Sequence, residues 1–139
     1  GVKERINAAI KHRDFWMPFA PLVLDTFAER YLISIDKANC TYMSIGMQTT
    51  EEGFQAMLAA CHPADRSARP QVLRRDTNPD LYDLLVEFAK QTGRGALLNT
   101  SFNLHGYPIV QNVQEAVSVL DQTDLDGLIF ANYLVLRSP

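Results

Sequence analysis

The hydrophobic pattern is clearest between residues 78 and 93, where it predicts one amphipathic helix. Apolar side chains recur there at helical spacing and make a single face, which consists of Leu81, Leu84, Leu85 and Phe88. Asn78 is a favourable N-cap, and Pro79 follows at the first helical position, where its missing N–H costs nothing. Gly93 provides the left-handed residue at which such helices commonly end.

The C-terminal third continues this alternation. Residues 96–98 predict a short buried strand, and Asn112 with Glu115 forms a capping-box pattern before a second amphipathic helix. Residues 128–130 and 133–136 predict two strands joined by a tight turn. Together with the preceding helix, these elements indicate a chain in which helices and strands alternate.

The N-terminal part has weaker signals. Residues 2–9 predict a short helix and residues 25–31 a helical turn, and residues 42–49 alternate loosely as a strand would. Thr50 can cap a helix whose apolar positions are Phe54, Met57, Leu58 and Cys61. We therefore predict an α/β fold, a twisted mixed sheet covered by helices, formed as one domain by residues 1–139.

The long apolar run at residues 10–24 contains Pro18 and Pro21, which forbid a continuous helix. We expect extended chain with bends there. The aromatic and proline-rich part at 15–21 could stack on a base, but core packing is the more frequent reason for such a run, and we prefer it.

Composition is that of an ordinary globular domain, with 47% hydrophobic and 21% charged residues. No apolar run approaches the ~20 residues of a membrane helix, and Lys3, Glu4 and Arg5 interrupt any signal-peptide pattern. Cys40 and Cys61 match no metal spacing, which favours reduced thiols in a cytoplasmic protein without membrane association.

The sequence has neither the spacing of a protein-held metal site nor the common glycine-rich nucleotide-binding motifs. The three histidines are scattered, so we expect no metal held by protein ligands alone. The glycine motifs of P-loop and Rossmann nucleotide sites do not occur either. A formal charge of −3 makes a broad nucleic-acid surface improbable, yet it leaves room for a small basic pocket.

Lys11 and Arg13 are the first candidate site. In extended chain, residues two apart project to the same side, where two cations repel unless an anion lies between them. A polyphosphate is such an anion. For this segment taken alone, a solvated basic turn at a helix end is the better interpretation.

Residues 99–103 (Asn-Thr-Ser-Phe-Asn) are the second candidate, because they follow a buried strand directly. Ser101 and Asn103 share a face in extended chain and offer a hydroxyl and an amide. A turn stabilised by its own side-chain hydrogen bonds explains the same residues equally well. Residues 67–71 indicate a strand start with Arg69 and Gln71 on one face, for which a surface strand is the favoured alternative.

Taken together, four segments resemble the C-terminal domain of the carbamoyltransferase family, which includes nodulation-protein-U-type and cephamycin and tobramycin enzymes. They are IKHRDFWMPFAP at 10–21, SARPQ at 67–71, NTSFN at 99–103 and YPIV at 107–110. The resemblance implies a YrdC-like fold that binds ATP and carbamoyl phosphate and forms carbamoyl-adenylate. It also implies an upstream actin-like-ATPase-type domain of the same polypeptide, which holds its own metal and transfers the carbamoyl group.

The resemblance implies that a Lys-x-Arg pair and a Ser-x-Asn pair bind the nucleotide. The first pair corresponds to Lys11 and Arg13, and the second to Ser101 and Asn103. Lys11 and Arg13 hold phosphate oxygens, Arg69 binds carbamoyl phosphate or the α-phosphate, and Ser101 and Asn103 orient the acyl phosphate. Thr100 and Gln71 complete the predicted binding residues, and Mg²⁺ accompanies the ATP.

This chain departs from the family at two positions. Met17 stands where the family has Arg, which removes one cation. Arg66 stands where the family has a glycine suited to positive φ, so the turn is expected to differ, and Arg66 is a candidate to replace the lost charge.

Two other functions remain open. An RNA-binding YrdC-like module is one, although the acidic balance counts against it; salt-dependent tRNA binding would support it. A degenerate structural domain that packs on the upstream domain is the other, and a large exposed apolar patch would indicate it.

Overall fold

The computed structural model describes residues 1–11 and 19–137. The chain divides into two compact units, which are described separately. Residues 18–100 form the sheet unit, and residues 1–17 together with 101–139 form the terminal unit. Our prediction of a single domain over residues 1–139 stays a prediction.

The elements of the sheet unit follow in chain order: β1 (Ala20–Leu24), α2 (Asp25–Tyr31), β2 (Met47–Gln48), α3 (Glu51–Ala56), β3 (Ser67–Ala68), β4 (Gln71–Leu73), α4 (Pro79–Thr92) and β5 (Ala96–Asn99). Short 3₁₀ turns lie at Ile35–Lys37 and Leu58–Ala60. The terminal unit contains α1 (Val2–Ile6), a π-helical turn (Asn7–Lys11), α5 (Val113–Asp121), β6 (Gly127–Phe130) and β7 (Tyr133–Leu136).

A three-stranded sheet organises the sheet unit, with β1 in the centre. β4 pairs with β1 in parallel, and β5 pairs with β1 antiparallel. Because β1 is covered on both faces, all five of its residues are buried. The mixed sheet with helices confirms the predicted α/β class.

The two faces of this sheet bury different clusters. On one face, Leu22, Leu24 and Leu73 pack with Leu85 of α4. Val23 and Ala96 point to the other face and join a second cluster around Tyr31, Leu32, Cys40, Met47, Met57, Cys61 and Ala68. The alternation of side chains along each strand therefore places one helical layer on each side.

The terminal unit is held together by contacts between its two chain segments. The guanidinium of Arg5 donates to both carboxylate oxygens of Asp126 at 2.9 and 2.8 Å. The backbone N–H of Asp124 donates to the carbonyl of Ala9 at 3.2 Å. Helix α5 buries Ala116, Val119 and Leu120, while β6 and β7 form a separate antiparallel hairpin.

Capping signals were reliable predictors of helices. Asn78 accepts from the N–H of Leu81, Gly93 ends α4 at φ 73°, and Asn112 accepts from the N–H of Glu115. The helical turn predicted at 25–31 is a full helix, α2, and the predicted strand at 96–98 and the C-terminal hairpin are confirmed. Across the described ranges, no helix has the length and apolar character needed to cross a bilayer.

Three local predictions were wrong. The expected strand at 42–49 shrinks to Met47–Gln48, because only this part has a partner strand, at β3. Thr50 caps α3 as predicted, but α3 ends at Ala56, so Cys61 lies beyond it. Residues 10 and 11 are not extended, because the N-terminal helix continues as a π-helical turn through Lys11.

Candidate functional site

Lys11, Ser101 and Asn103 meet in the terminal unit. The ammonium of Lys11 donates to Ser101 Oγ at 3.2 Å, to Asn103 Oδ1 at 2.5 Å and to the Asn103 carbonyl at 3.0 Å. Ser101 Oγ in turn donates to Asn103 Oδ1 at 2.7 Å. Three of the four residues that the sequence assigned to one nucleotide site therefore share one hydrogen-bond network, which we call the Lys11 cluster.

The π-helical turn places Lys11 at its last residue, and the side chain is buried with 1% of the residue exposed. The sequence pattern favoured a solvated basic turn at a helix end; Lys11 does lie at a helix end, but its side chain is buried rather than solvated. The three acceptors described above are a hydroxyl, a side-chain amide oxygen and a peptide oxygen. All three are neutral groups that accept from the ammonium and orient it.

The loop after β5 is held in shape by its own hydrogen bonds. Asn103 Nδ2 donates to the Tyr107 carbonyl at 2.6 Å, and the N–H of Val110 donates to the Phe102 carbonyl at 3.1 Å. Gly106 adopts φ 82°, a left-handed conformation that few other residues tolerate. The loop thus presents Ser101 and Asn103 to Lys11 as a fixed pair.

The structure agrees in part with each of the two interpretations of residues 99–103, the ligand site and the turn stabilised by its own side chains. The predicted common face of an extended Ser101 and Asn103 is wrong, because the chain bends after β5 ends at Asn99. Their mutual bond is the local turn-stabilising contact of the alternative interpretation. The same two side chains nevertheless contact Lys11, which only the tertiary structure brings to them.

The predicted partners Arg69, Gln71 and Thr100 belong to the sheet unit. Arg69 and Gln71 do not share a strand face, because Pro70 interrupts the pairing and separates β3 from β4. Arg69 is exposed between these strands, Gln71 is half-buried at the start of β4, and Thr100 is half-buried directly after β5.

A contact at the end of the central sheet escaped sequence reasoning. Asn99 Nδ2 donates to Gln71 Oε1 at 3.0 Å, which joins the two strands on either side of β1. On the intervening strand, Ala20 pairs with Asn99 and Leu22 pairs with Gln71. The sequence feature that could have indicated this contact is Asn99, a polar residue at the end of an otherwise apolar strand.

Arg66 contacts neighbouring side chains of the sheet unit, and its role as a replacement for the missing cation stays a prediction. It adopts φ 59°, so the turn keeps the left-handed conformation suited to glycine, contrary to our expectation of a different turn. Its guanidinium donates to Glu51 Oε2 at 2.6 Å and lies 4.7 Å from the centre of the Phe54 ring. Arg13 and Met17, together with most of the aromatic run at 15–21, lie outside the described residues.

Burial and local hydrogen bonds shift the pKa values of two cysteines and one aspartate in the sheet unit. Burial raises the pKa of the Cys61 thiol to about 11 and also raises that of Cys40. The pKa of Asp65 is lowered because its carboxylate accepts from the backbone N–H and hydroxyl of Ser67. Among residues 1–11 and 19–137, no group of three or more His, Cys, Asp or Glu side chains is placed to hold a metal ion.

Comparison with known proteins covers nearly the whole chain. The sequence profile described as "Carbamoyltransferase C-terminus" matches residues 1–137. Nodulation protein NolO of Bradyrhizobium diazoefficiens is 38% identical over 138 residues, which is 99% of this chain and 25% of NolO.

Two further relatives carry related names. Nodulation protein U of Rhizobium tropici is 35% identical over 76% of this chain and 18% of its own length. The 3'-hydroxymethylcephem-O-carbamoyltransferase of Amycolatopsis lactamdurans is 28% identical over 91% of this chain and 23% of its own length. This chain therefore spans 18–25% of the length of these three curated relatives.

Proposed function

This chain belongs to the carbamoyltransferase C-terminus family, and from this premise we propose that it binds ATP and carbamoyl phosphate and forms carbamoyl-adenylate. The observation that supports the proposal is the Lys11 cluster. It joins a buried cation to a hydroxyl and an amide, which are the groups that the family resemblance assigns to nucleotide binding.

The chemistry asks for alignment and charge stabilisation rather than a covalent intermediate on the protein. In the proposal, water hydrolyses carbamoyl phosphate, so that the bond between the carbamoyl and phosphate groups breaks and carbamate and inorganic phosphate form. A carbamate oxygen then attacks and bonds to the α-phosphorus of ATP, and pyrophosphate leaves as the bond between the α- and β-phosphates breaks. Negative charge spreads over phosphate oxygens during this step, and a fixed ammonium such as that of Lys11 stabilises it in a low-dielectric site.

The other residues take complementary roles in the proposal. Arg13 provides a second cation with a forked geometry for phosphate oxygens. Ser101 and Asn103 orient the acyl phosphate, Arg69 binds carbamoyl phosphate or the α-phosphate, and Gln71 and Thr100 contribute further polar contacts. Mg²⁺ enters with the ATP, bound through phosphate oxygens.

The complete reaction extends beyond this chain. Because the chain matches only about a quarter of its relatives' length, we propose that an upstream domain of the same polypeptide transfers the carbamoyl group to the acceptor. That domain holds its own metal in the resemblance. The cytoplasmic location expected from reduced thiols is part of the same proposal.

Titration calorimetry with ATP and Mg²⁺ tests the binding step. Lys11→Ala and Ser101→Ala should each weaken binding, the first by at least about tenfold, because a charged contact to phosphate is worth about 1.5–3 kcal/mol. Lys90→Ala is the matched control, since the Lys90 side chain is 68% exposed and pairs with Glu87 on α4.

Pyrophosphate exchange into ATP, dependent on carbamoyl phosphate, tests adenylate formation in the longer polypeptide. The proposal fails if this chain binds no ATP and the Lys11→Ala and Ser101→Ala variants of the longer polypeptide retain full exchange.

One observation favours a second function, that of a structural domain packing on the upstream region. Six side chains of the β6–β7 hairpin are 42–73% exposed, namely Ile129, Phe130, Tyr133, Leu134, Val135 and Leu136. An apolar hairpin with two open edges is usually covered by a partner. The purely structural role predicts that Leu134→Lys impairs the longer polypeptide more than Lys11→Ala does, and that ATP binding is absent.

A further inference from the structure

Strand β7 is apolar on both of its faces. Its four residues, Tyr133, Leu134, Val135 and Leu136, are each 43–73% exposed. Because successive side chains of a strand point to opposite faces, Tyr133 and Val135 lie on one face and Leu134 and Leu136 on the other. A strand with one face in water alternates apolar and polar residues, whereas a strand covered on both faces is a continuous apolar run. The composition of β7 is therefore that of an interior strand.

One edge of β7 is open as well. In the part of the chain that the structure describes, β7 pairs with β6 alone. The N–H of Arg137 donates to the carbonyl of Asp126 at 3.1 Å, so these opposite residues form a hydrogen-bonded pair. Bonded and non-bonded pairs alternate along an antiparallel ladder, and the register places Leu134 and Leu136 at non-bonded positions. Their N–H and C=O groups therefore point away from β6, along the free edge.

The base of the hairpin is fixed to the rest of the terminal unit. The Arg137 guanidinium donates to the carbonyls of Leu120 at 3.1 Å and Asp121 at 3.3 Å, at the C-terminal end of α5, where carbonyls are open to such donors. Asp126, which precedes β6, forms the two-bonded pair with Arg5. The hairpin thus presents its open strand from a fixed base.

We propose that β7 is an interior strand of a larger sheet, and that a strand from the upstream part of the same polypeptide pairs with its free edge. The chain spans 18–25% of the length of three relatives, so most of such a polypeptide lies outside this chain. A second copy could pair edge to edge through β7, but the extended sheet would still leave both apolar faces open. Covering two faces and an edge requires a partner with several elements, which a domain of the same polypeptide provides.

The proposed pairing concerns attachment and does not depend on the nucleotide site. An adenylating domain and a purely structural domain could both be attached in this way. What the pairing adds is a defined edge and register, with Leu134 and Leu136 as the residues whose backbone groups bond to the upstream strand.

Hydrogen exchange at single amides tests the pairing, measured in the longer polypeptide and in this chain alone. In this chain, the Leu134 and Leu136 amides should exchange at rates close to those of an unstructured peptide. In the longer polypeptide, both should exchange at least about tenfold more slowly, because they donate to the upstream strand.

Two lysine variants test whether both faces are covered. Leu134→Lys and Val135→Lys place a charge on opposite faces, and each should raise the exchange rate of the Leu136 amide in the longer polypeptide at least about tenfold. Leu58→Lys is the matched control, since Leu58 is 58% exposed in the sheet unit, and it should leave that rate unchanged. Because all three positions are exposed, the unfolding midpoint of this chain should stay the same in each variant, which excludes misfolding as the cause.

Equal exchange of the Leu134 and Leu136 amides in the two proteins would overturn the proposal. Slow exchange in this chain alone that increases with its concentration would also overturn it, because a second copy would then occupy the edge. An effect of only one lysine variant would show that a single face is covered and that β7 is not an interior strand. None of these measurements involves ATP, so their failure leaves the proposed function standing.

Discussion

The ammonium of Lys11 lies 3.2 Å from the hydroxyl of Ser101, although 90 positions separate the two residues in sequence. The contact links the end of the N-terminal π-helical turn to the loop that follows β5. Because both ends of the terminal unit contribute to it, this network both stabilises the unit and forms the candidate site.

The Lys11 cluster should depend on Asn103 more than on Ser101 for stability. Asn103→Ala removes the Oδ1 acceptor used by Lys11 and Ser101 and the Nδ2 donor used by the Tyr107 carbonyl. Because bonds to charged groups are worth about 1.5–3 kcal/mol, we expect a loss of about 2–3 kcal/mol in the free energy of unfolding. Ser101→Ala should cost about 1 kcal/mol. Urea unfolding measures both, and the reverse order would contradict the described network.

Asn103→Asp should lower the affinity for ATP much more than it lowers the free energy of unfolding. A carboxylate still accepts from Lys11, so the free energy of unfolding should change by less than in Asn103→Ala, although the donor to the Tyr107 carbonyl is lost. Its negative charge opposes a phosphate next to Lys11, and we expect ATP affinity to fall at least about tenfold. Calorimetry at fixed salt checks this, and full ATP affinity in Asn103→Asp would argue against phosphate at this position.

Gly95 has no room for a methyl group, because a Cβ would lie 2.1 Å from the ring of Phe27. Gly95→Ala should destabilise the sheet unit by about 3 kcal/mol or more through overpacking. It would also disturb the bond from the Gly95 N–H to the Tyr31 hydroxyl. Gly46→Ala is the matched control, since nothing lies within 4 Å of its Cβ position. Equal unfolding midpoints for the two variants would refute this packing argument.

At position 66, we expect the glycine variant to be more stable than the alanine variant, which reverses the usual order. The Arg66 φ of 59° costs a non-glycine residue about 1–2 kcal/mol. Arg66→Ala keeps that cost and loses the contacts with Glu51 and Phe54. Arg66→Gly loses the same contacts but relieves the strain. We expect the glycine variant to be more stable by about 1 kcal/mol in urea unfolding; a more stable alanine variant would show that no strain is stored.

Stability should fall in alkali partly because of Cys61. Burial raises its pKa from 9.0 to about 11, so the folded state binds the thiol proton more tightly than the unfolded state does. This contribution is fully present below pH 9 and is lost as the pH rises from 9 to 11. The difference in free energy of unfolding between wild type and Cys61→Ala should therefore shrink between pH 8 and pH 10.5. A constant difference would mean that the two states share one thiol pKa.

Local signals predicted the elements whose physics is local. Two helices begin after the N-caps Asn78 and Asn112, and one ends at Gly93. Because these capping residues bond to groups within a few positions, the local sequence predicted the helix ends correctly. Where partners are distant, the same approach fell short. The strand predicted at 42–49 shortened to the residues that β3 could pair, and Pro70 divided what looked like one strand.

The candidate site shows the same division. Lys11, Ser101 and Asn103 were selected by their residue types and by the family resemblance, and the structure brings these three together. The bond between Asn99 and Gln71 was missed, because it depends on a strand order that places β1 between them. The sequence pattern likewise did not predict that the Arg66 guanidinium contacts Glu51 and Phe54.

The sequence by itself determined the helices, the hairpin, the α/β class and the family, because caps, periodicity and motifs act over short stretches of chain. Only the tertiary structure decided that a buried ammonium donates to a hydroxyl and an amide that lie 90 and 92 positions away. The physical reason is that hydrogen bonds and burial act through space. Which distant groups meet depends on how the whole unit packs, and no short segment encodes that outcome alone.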